Sequence, residues 1–472
     1  MRRAHTVAQV RAAEAEALEV LPPGTLMRRA ARALAAAVLD VAGGGYGTRV
    51  CLLVGSGDNG GDALLAGADL ARRGCAVHAA LLTSRVHESA LAEFRASGGR
   101  VLSHGQVPRG PVDVVVDGVV GIGGRPGLVL GAQQVLALLD ETSPDAAVVA
   151  VDVPSGVDVD TGETPASFLQ ADVTVTFGTH KVAHLVDPAA RACGTVRLVD
   201  IGLELPGADV EALEADDVAA LLPVPATTAH KYTRGVVGVR AGSVDYPGAG
   251  VLATAGASTG LCGMVRYVGD AADEVLLRHP EVVPGVGRVQ AWAIGSGLSG
   301  DARLALAEVV ALAREDGAAV VVDAGALAPL AEIRTSLGVP AVLTPHAGEL
   351  AAMTGEDRAR IEAHPLAAVR EAAVRYDAVV LLKGPHTLVA DPSGRVRVTT
   401  TGTPWLASAG AGDVLTGLVG ALLAAGLEPF DAASVGSWLH GAAASRASAG
   451  GPLVAADLPD AVVAVVRDLL AR

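Results

Sequence analysis

The spacing of apolar and polar positions changes character along the 472 residues. Residues 6–40 carry Leu18, Leu26, Leu34 and Val38 at helical spacing among alanines and charges, broken at Pro22, Pro23 and Gly24. This predicts two helices joined by a turn. From residue 50 the pattern becomes brief, mainly apolar runs at 50–54, 77–82, 112–116, 148–151 and 173–177, bounded by turn residues or helical stretches. Brief, mainly apolar runs alternating with helical stretches suit strands covered by helices, which predicts a parallel sheet in a Rossmann-like α/β domain. Between residues 202 and 230, Pro206, Pro223 and Pro225 surround an acidic run at 211–217, dividing the chain into domains at 1–210 and 211–472. A second α/β series follows, with strands at 236–239, 291–294, 320–322, 341–343 and 379–382. Residues 387–399 read as a hairpin turning at Asp391, Pro392, Ser393 and Gly394, and a long apolar helix begins near Asp413.

Composition narrows the classes open to this chain. With 51% apolar residues, 58 glycines and 18% charged residues, it suits α/β layers and argues against disorder. A balance of 36 basic against 51 acidic residues, −15 in all, repels polyanions, and 3% aromatics leaves few platforms for base stacking. A nucleic-acid partner is therefore not expected. Cys51, Cys75, Cys193 and Cys262 form no CxxC pair, so neither zinc nor a disulfide framework is indicated, and a reducing cytoplasm fits. Arg2 and Arg3 are followed by Glu14, Glu16 and Glu19 where an export signal needs apolar residues. The longest apolar stretch, 414–427, is shorter than the ~20 residues that cross a bilayer and contains glycines, so it reads as a buried helix and no membrane role is expected. A homo-oligomer is compatible with this sequence.

Chemistry gathers at predicted strand ends. In the second domain Ser408, Ala409, Gly410, Ala411 and Gly412 precede the apolar helix. Small residues let the backbone approach a ligand, and free amides at a helix start favour phosphate. Asp413 beside them suits a general base, the alternative being a plain helix cap. Lys383, followed by Gly384, Pro385, His386 and Thr387, ends a buried strand, where it would neutralise phosphoryl oxygens or stand as a solvated strand end. Thr344, Pro345, His346, Ala347, Gly348 and Glu349 lie just past another strand, at the ligand-binding edge of such a sheet, though a lone histidine is equally a satisfied surface residue.

In the first domain the loop from Gly55 brings Asp58, Asn59, Gly60, Gly61 and Asp62 before a helix expected to start at Asp62. The spacing is not GxGxxG. Two aspartates disfavour simple phosphate binding and suit a hard cation, the alternative being a plain turn capped by Asp62. Asp117 precedes a second glycine-rich loop of Gly121, Ile122, Gly123, Gly124, Arg125, Pro126 and Gly127. Asp152 precedes Pro154, Ser155 and Gly156, and Lys181 follows one more strand, as a site residue or a surface charge.

Taken in order, HKYTRGVVGVRAGS, AIGSGLSG, VVDAGAL, LTPHAGEL, LLKGPHTLVA and ASAGAGDVLTG resemble the ADP- or ATP-dependent NAD(P)H-hydrate dehydratases of the ribokinase-like superfamily, over most of residues 215–472. The resemblance implies nucleotide binding by Lys383 to Thr387 and residues 403–412, with Mg²⁺, and implies that Gly297, His346 and its neighbours, and Asp413 face the hydrated dinucleotide. Departures are small: GSGLS for GPGLG, DAGAL for DADAL and SAGAGD for GGTGD. They bear on affinity more than on reaction type.

The set VGSGDNGGD, DGVVGIGG, VDVPSGVDVDTG and TFGTHK, preceded by LMRRAARALA, resembles the NAD(P)H-hydrate epimerase domain over about residues 1–205. That implies hydrate binding by Asp58 to Asp62, Gly121 to Gly127 and Asp152, a potassium ion near Asn59, Asp117 and Ser155, and acid/base roles for Asp152 and Lys181. Together the two imply a bifunctional repair enzyme for NADHX and NADPHX, the hydrated forms of NADH and NADPH. The rivals are a ribokinase-like small-molecule kinase and a first domain that only binds or scaffolds.

Overall fold

The computed structural model describes every residue except His104, Ser299, Arg334 and Arg472. Ser299, last in the GSGLS motif, therefore lies outside the described residues. Two compact units make up the chain: Arg3–Asp209, and Val210–Arg472 with Met1 and Arg2.

In the N-terminal unit seven parallel strands run in chain order Arg49–Val54 (β1), Ala76–Leu81 (β2), Arg100–Val101 (β3), Val114–Gly118 (β4), Ala147–Val151 (β5), Val173–Phe177 (β6) and Thr195–Val199 (β7). Their spatial order is β3-β2-β1-β4-β5-β6-β7. The chain thus winds outward from β1 on one side and returns to wind outward from β4 on the other. A crevice opens at the carboxyl ends of β1 and β4, the switch point where doubly wound sheets bind ligands. Side chains alternate across the sheet as strand geometry requires. Val50, Leu52 and Val54 enter a core with helices Thr25–Ala42 and Asp58–Arg72, while Cys51 and Leu53 enter a core with helix Leu130–Thr142. Burying each such leucine or valine stabilises the sheet by about 1.5–3 kcal/mol.

One expected boundary needs correction. The helix after β1 starts at Asp58 behind a Gly57 cap, not at Asp62, so Asp58, Asn59, Gly60 and Gly61 lie in its first turns and Asp62 caps nothing. Glycine's poor helix propensity made this stretch read as loop. Glycine is nonetheless required inside this helix, because a Cβ on Gly60 would stand 2.3 Å from the Gly55 carbonyl oxygen.

The C-terminal unit holds Val210–Ala212 (β8), Val236–Arg240 (β9), Met264–Tyr267 (β10), Val283–Pro284 (β11), Ala291–Ile294 (β12), Ala319–Val322 (β13), Ala341–Leu343 (β14), Val379–Leu382 (β15), Thr387–Ala390 (β16) and Val396–Thr399 (β17). Their order is β11-β10-β9-β12-β13-β14-β15-β16-β17-β8. Pairing is parallel from β11 to β15, the hairpin β16–β17 is antiparallel, and β8 runs parallel to β17. The switch point lies between β9 and β12. The apolar stretch at 414–427 belongs to helix Ala411–Ala424, which is buried from Val414 to Ala424 and packs on β9, β12 and β13. Strand β10 and the helix Pro429–Ser448 escaped the sequence pattern. The first, Met264–Tyr267, carries Arg266 and is buried only at alternate residues, so it makes no apolar run, and the second is buried nearly all round, so it shows no helical stripe. Among the described residues no helix is long and apolar enough to cross a membrane. All four cysteines are buried free thiols.

At the end of β12, Gly295 has φ 135°, and a Cβ there would lie 1.7 Å from the Asp323 carbonyl oxygen. Gly295→Ala is expected to cost about 1–3 kcal/mol, through both strain and overpacking. A shift in the urea midpoint of unfolding measures it.

Candidate active sites

In the C-terminal unit the helix start, two strand ends and the turn after β13 converge. Gly410 caps helix Ala411–Ala424 in the left-handed region at φ 88°, and the Gly412 and Asp413 amides meet no acceptor among the described residues. The expected alternative that Asp413 is only a cap therefore fails, since Gly410 holds that position and Asp413 is third in the helix. The Asp413 carboxyl is half-buried. Burial raises its pKa to about 6; the Ser296 hydroxyl pulls it down without closing a hydrogen bond, Asp323 adds to the rise and Lys383 subtracts from it.

Lys383 is not a solvated strand end. Its Nζ lies 2.8 Å from Asp323 Oδ1 and 3.5 Å from Glu349 Oε2. Burial opposes its charge, but Asp323 and Glu349 outweigh it and raise the pKa. Asp323, 2% exposed, accepts from the Thr416 hydroxyl at its other oxygen, 2.7 Å away. One carboxylate thus ties the β15 end to the phosphate-loop helix. Residue 412 closes the arrangement: a Cβ on Gly412 would lie 3.6 Å from Lys383 Nζ.

His346 caps helix Ala347–Thr354: its Nδ1 accepts from the Glu349 amide at 3.0 Å, while Glu349 Oε2 accepts from the His346 amide at 2.8 Å. The ring is exposed and its Nε2 lies 3.7 Å from Glu349 Oε2, so His346 is a satisfied residue at the site's edge. Its backbone bridges to Lys383, whose amide donates to the Pro345 carbonyl. Thr344 is fully buried with its hydroxyl on the Val322 carbonyl, placing it beneath the site. Ala347 and Gly348 open the helix, and exposed Gly384 and Pro385 with half-buried His386 turn into β16, which begins at Thr387. Ser408 and Ala409 precede the cap, and Gly297 lies past β12 at φ 61°.

Sequence reasoning missed Asp323, Thr416, Ser296 and His440. Buried His440, on helix Pro429–Ser448, donates from Nε2 to the Ala411 carbonyl at 2.9 Å and so pins the phosphate loop. Burial pushes its pKa down to about 4, keeping it neutral. Only the DAGAL motif hinted at Asp323; a histidine nearly thirty residues away left no local signal.

In the N-terminal unit Asp152 follows β5 with φ 67°, and the Val153 amide donates back to the Val151 carbonyl at 2.8 Å. This is the rare, strained three-residue turn that marks functional positions. Lys181 is no surface charge: it is 1% exposed, with Nζ 2.5 Å from Asp152 Oδ1, 2.9 Å from Thr176 Oγ1 and 3.0 Å from the Phe177 carbonyl. Thr176 Oγ1 also donates to Asp152 Oδ1 at 3.0 Å. His184 accepts the Lys181 amide at Nδ1, so its Nε2 holds the proton and donates to the Asp152 carbonyl at 2.9 Å. Burial, then the Lys181 charge, pushes the His184 pKa down to about 3.

Asp62 is buried in the same crevice. Burial first, then Asp152, Asp58 and Glu14, raise its pKa well above the usual carboxylate range. Glu14, from the first helix, is raised by burial and then by Asp152. Glu14, Thr176 and His184 carried no sequence signal, because only the fold brings them to Asp152.

Asp117 is fully buried. Its Oδ1 accepts from Ser155 Oγ at 2.7 Å and its Oδ2 from the Ser155 amide at 2.8 Å. Burial raises its pKa and the Ser155 bonds oppose the rise. Ser155 Oγ also accepts from the Val120 amide, next to Gly121. Asn59 Nδ2 donates to the Val151 carbonyl at 2.5 Å, while a Cβ on Gly121 would fall 2.1 Å from Asn59 Oδ1. Asn59, Asp117 and Ser155 are therefore brought to one place, with a gap beside the amide oxygen that only glycine leaves. Ile122 packs inward, and Gly123, Gly124, Arg125 and Pro126 are exposed at the crevice rim before Gly127. Among the described residues no set of three or more His, Cys, Asp or Glu forms a metal cage in either unit.

Comparison with known proteins accounts for both units. Residues 237–463 match the family model described as NAD(P)H-hydrate dehydratase, and residues 23–183 that of the YjeF-related protein N-terminus. The bifunctional NAD(P)H-hydrate repair enzyme Nnr of Mycobacterium leprae is 46% identical over 466 residues, covering 95% of each chain. That of Mycobacterium tuberculosis is 47% identical over 451 residues, covering 92% of each. The crystal structure of the ADP/ATP-dependent NAD(P)H-hydrate dehydratase of Bacillus subtilis, co-crystallized with ATP/Mg²⁺, is 30% identical with a TM-score of 0.50, covering 55% of this chain and 99% of its own. A ribokinase-like superfamily protein of Enterococcus faecalis, 20% identical with a TM-score of 0.52 over 57% of this chain and 99% of its own, shares the fold. With a glycine-capped helix start beside a poised aspartate in one unit, a strained Asp152 on a buried lysine in the other, and relatives matched along nearly their whole length, the chain belongs to the family of bifunctional NAD(P)H-hydrate repair enzymes.

Proposed function

We propose that this protein restores NADH and NADPH from their hydrates, with residues 1–210 interconverting the R and S forms and residues 211–472 dehydrating the S form at the expense of ADP or ATP. The observation that carries the reading is Asp413, a carboxyl poised near 6 at a helix start where the Gly412 and Asp413 amides meet no acceptor among the described residues. Hydroxide is a poor leaving group, whereas phosphate is a good one. Asp413 takes the proton of the C6 hydroxyl as its oxygen attacks the terminal phosphoryl group. The Gly412 and Asp413 amides and Lys383 stabilise the phosphoryl oxygens, and the nucleotide leaves one phosphate shorter. Departure of phosphate from C6 with loss of a C5 proton then restores the ring double bond. Relatives matched over the full chain favour this over a small-molecule kinase fused to a scaffold.

Mg²⁺ suits a site where nucleotide phosphates supply most ligands. Glu349, whose carboxylate contacts among the described residues run through Oε2, is the carboxylate that would join it. When bound it would neutralise phosphate charge. The Asn59–Asp117–Ser155 cluster offers only oxygen donors and one acidic side chain, which fits K⁺. In the N-terminal unit the Asp152–Lys181 pair is assigned the proton traffic as the C6 hydroxyl leaves as water and water returns on the other face. Buried free cysteines agree with a reducing cytoplasm.

The direct test is 340 nm absorbance. Purified protein given the mixed hydrates with ADP or ATP and Mg²⁺ is expected to regenerate it fully, and no recovery from either epimer overturns the reading. A pH profile tests the base. Asp413 must be ionised to act, so dehydration is expected to level off above about 6 and to fall about tenfold per pH unit below it. A limb at the ordinary aspartate value of about 3.9 would remove Asp413 from that role.

A further inference from the structure

Across the N-terminal sheet from Asp152, a cleft of about 590 Å³ borders the carboxyl ends of β1 and β2, lined by Ser56, Ser84, Arg85, Val86 and Glu88. None of the groups above uses it. The turn after β2 is held by the Thr83 hydroxyl on the Arg85 carbonyl at 2.6 Å, and the Arg85 side chain is exposed with no ion pair among the described residues. In sheets wound in this order, the end of the second strand meets the adenosine ribose of a dinucleotide. An acidic residue there takes the 2′-hydroxyl, and an arginine takes a 2′-phosphate. Here β2 runs out through Leu81 and Leu82 with no carboxylate, and Ser84 and Arg85 follow. From β2 to β5, which Asp152 follows, is three strand steps, about 14 Å at 4.7–4.9 Å each, a span suited to the two ends of one dinucleotide.

We propose that Arg85, with Ser84 and Ser56, binds the 2′-phosphate of hydrated NADPH, so that the N-terminal unit selects the phosphorylated hydrate over hydrated NADH. The proposal rests on the epimerase reading of this unit. Glu88, in the first turn of helix Glu88–Ala96, lines the same cleft and would instead favour a ribose hydroxyl, so the two hydrates have to be compared directly.

R/S interconversion of each hydrate is followed by chromatography with the full-length protein and no ADP, which keeps dehydration silent. The wild type is expected to show the lower KM for hydrated NADPH. In Arg85→Ala the KM ratio between the two hydrates should fall roughly tenfold, the loss of one charge-assisted contact, with Arg85→Lys retaining part of it. An unchanged ratio overturns the proposal, as does an equal rise in both KM values. If the wild type interconverts neither hydrate, the epimerase reading fails, and calorimetry still decides the subsite. Adenosine 2′,5′-bisphosphate should then bind the wild type roughly tenfold tighter than it binds Arg85→Ala, with adenosine 5′-monophosphate indifferent to the change. Equal binding to wild type and variant overturns it.

Discussion

Asp413→Asn is expected to lower nucleotide-dependent dehydration by about 10²–10⁴-fold, the usual worth of a general base, while R/S interconversion by the same protein proceeds normally. Asparagine keeps the shape and hydrogen-bonding reach of the side chain but cannot accept the hydroxyl proton. The half-buried position third in helix Ala411–Ala424 tolerates it, since Gly410 and not Asp413 caps that helix. Loss of the carboxyl removes the group that burial holds near pKa 6, so the acidic limb of the pH profile should vanish with it. Rates measured by 340 nm recovery from the pure S hydrate, with ADP saturating, give the comparison. A variant within a factor of a few of wild type would leave the phosphate loop in place and assign the proton to another group.

The second large effect is expected at Asp152 and Lys181. Their pair is buried, at 2.5 Å, with Lys181 1% exposed. Asp152→Asn leaves a buried ammonium with neutral acceptors and no paired carboxylate, and Lys181→Met leaves a carboxylate held by Thr176 and the Phe177 amide. Removing one partner of a buried pair costs about 3–5 kcal/mol, and removing both together costs much less. Each single variant should therefore lower the urea midpoint sharply, and the double variant should recover most of the loss. Interconversion should fall to the uncatalysed rate in all three. The recovery of stability without activity separates chemistry from folding. With ADP present, the double variant should regenerate NADH rapidly only up to the S fraction of a mixed hydrate and then stall. A scaffold with no rate to lose would show no difference from wild type.

How much of this was legible before the fold follows from what each signal depends on. Strands β12, β14 and β15 match the apolar runs residue for residue, because a strand buried on both faces is apolar throughout, and β6 matches its run although it buries Thr174 and Thr176. The helix at Asp58 did not, because Gly60 and Gly61 argue locally for a loop, whereas Gly60 is glycine because its backbone passes too close to Gly55 for a side chain. Asp413, Lys383, Asp152 and Lys181 were visible because each stands beside a strand end or helix start that local pattern alone predicts.

What those residues do to each other was decided by tertiary structure. Asp323 binds Lys383 across sixty residues and Thr416 across ninety-three, and His184 reaches the Asp152 carbonyl across thirty-two. Burial, which sets the pKa of Asp413 near 6 and of His184 near 3, is a property of packed layers that no short window encodes. By itself the sequence determined the two α/β units, the glycine-rich strand ends and the acidic and basic residues stationed there. The tertiary structure alone decided which of them are buried, paired or left free, because desolvation and long-range contact exist only once the chain has closed on itself.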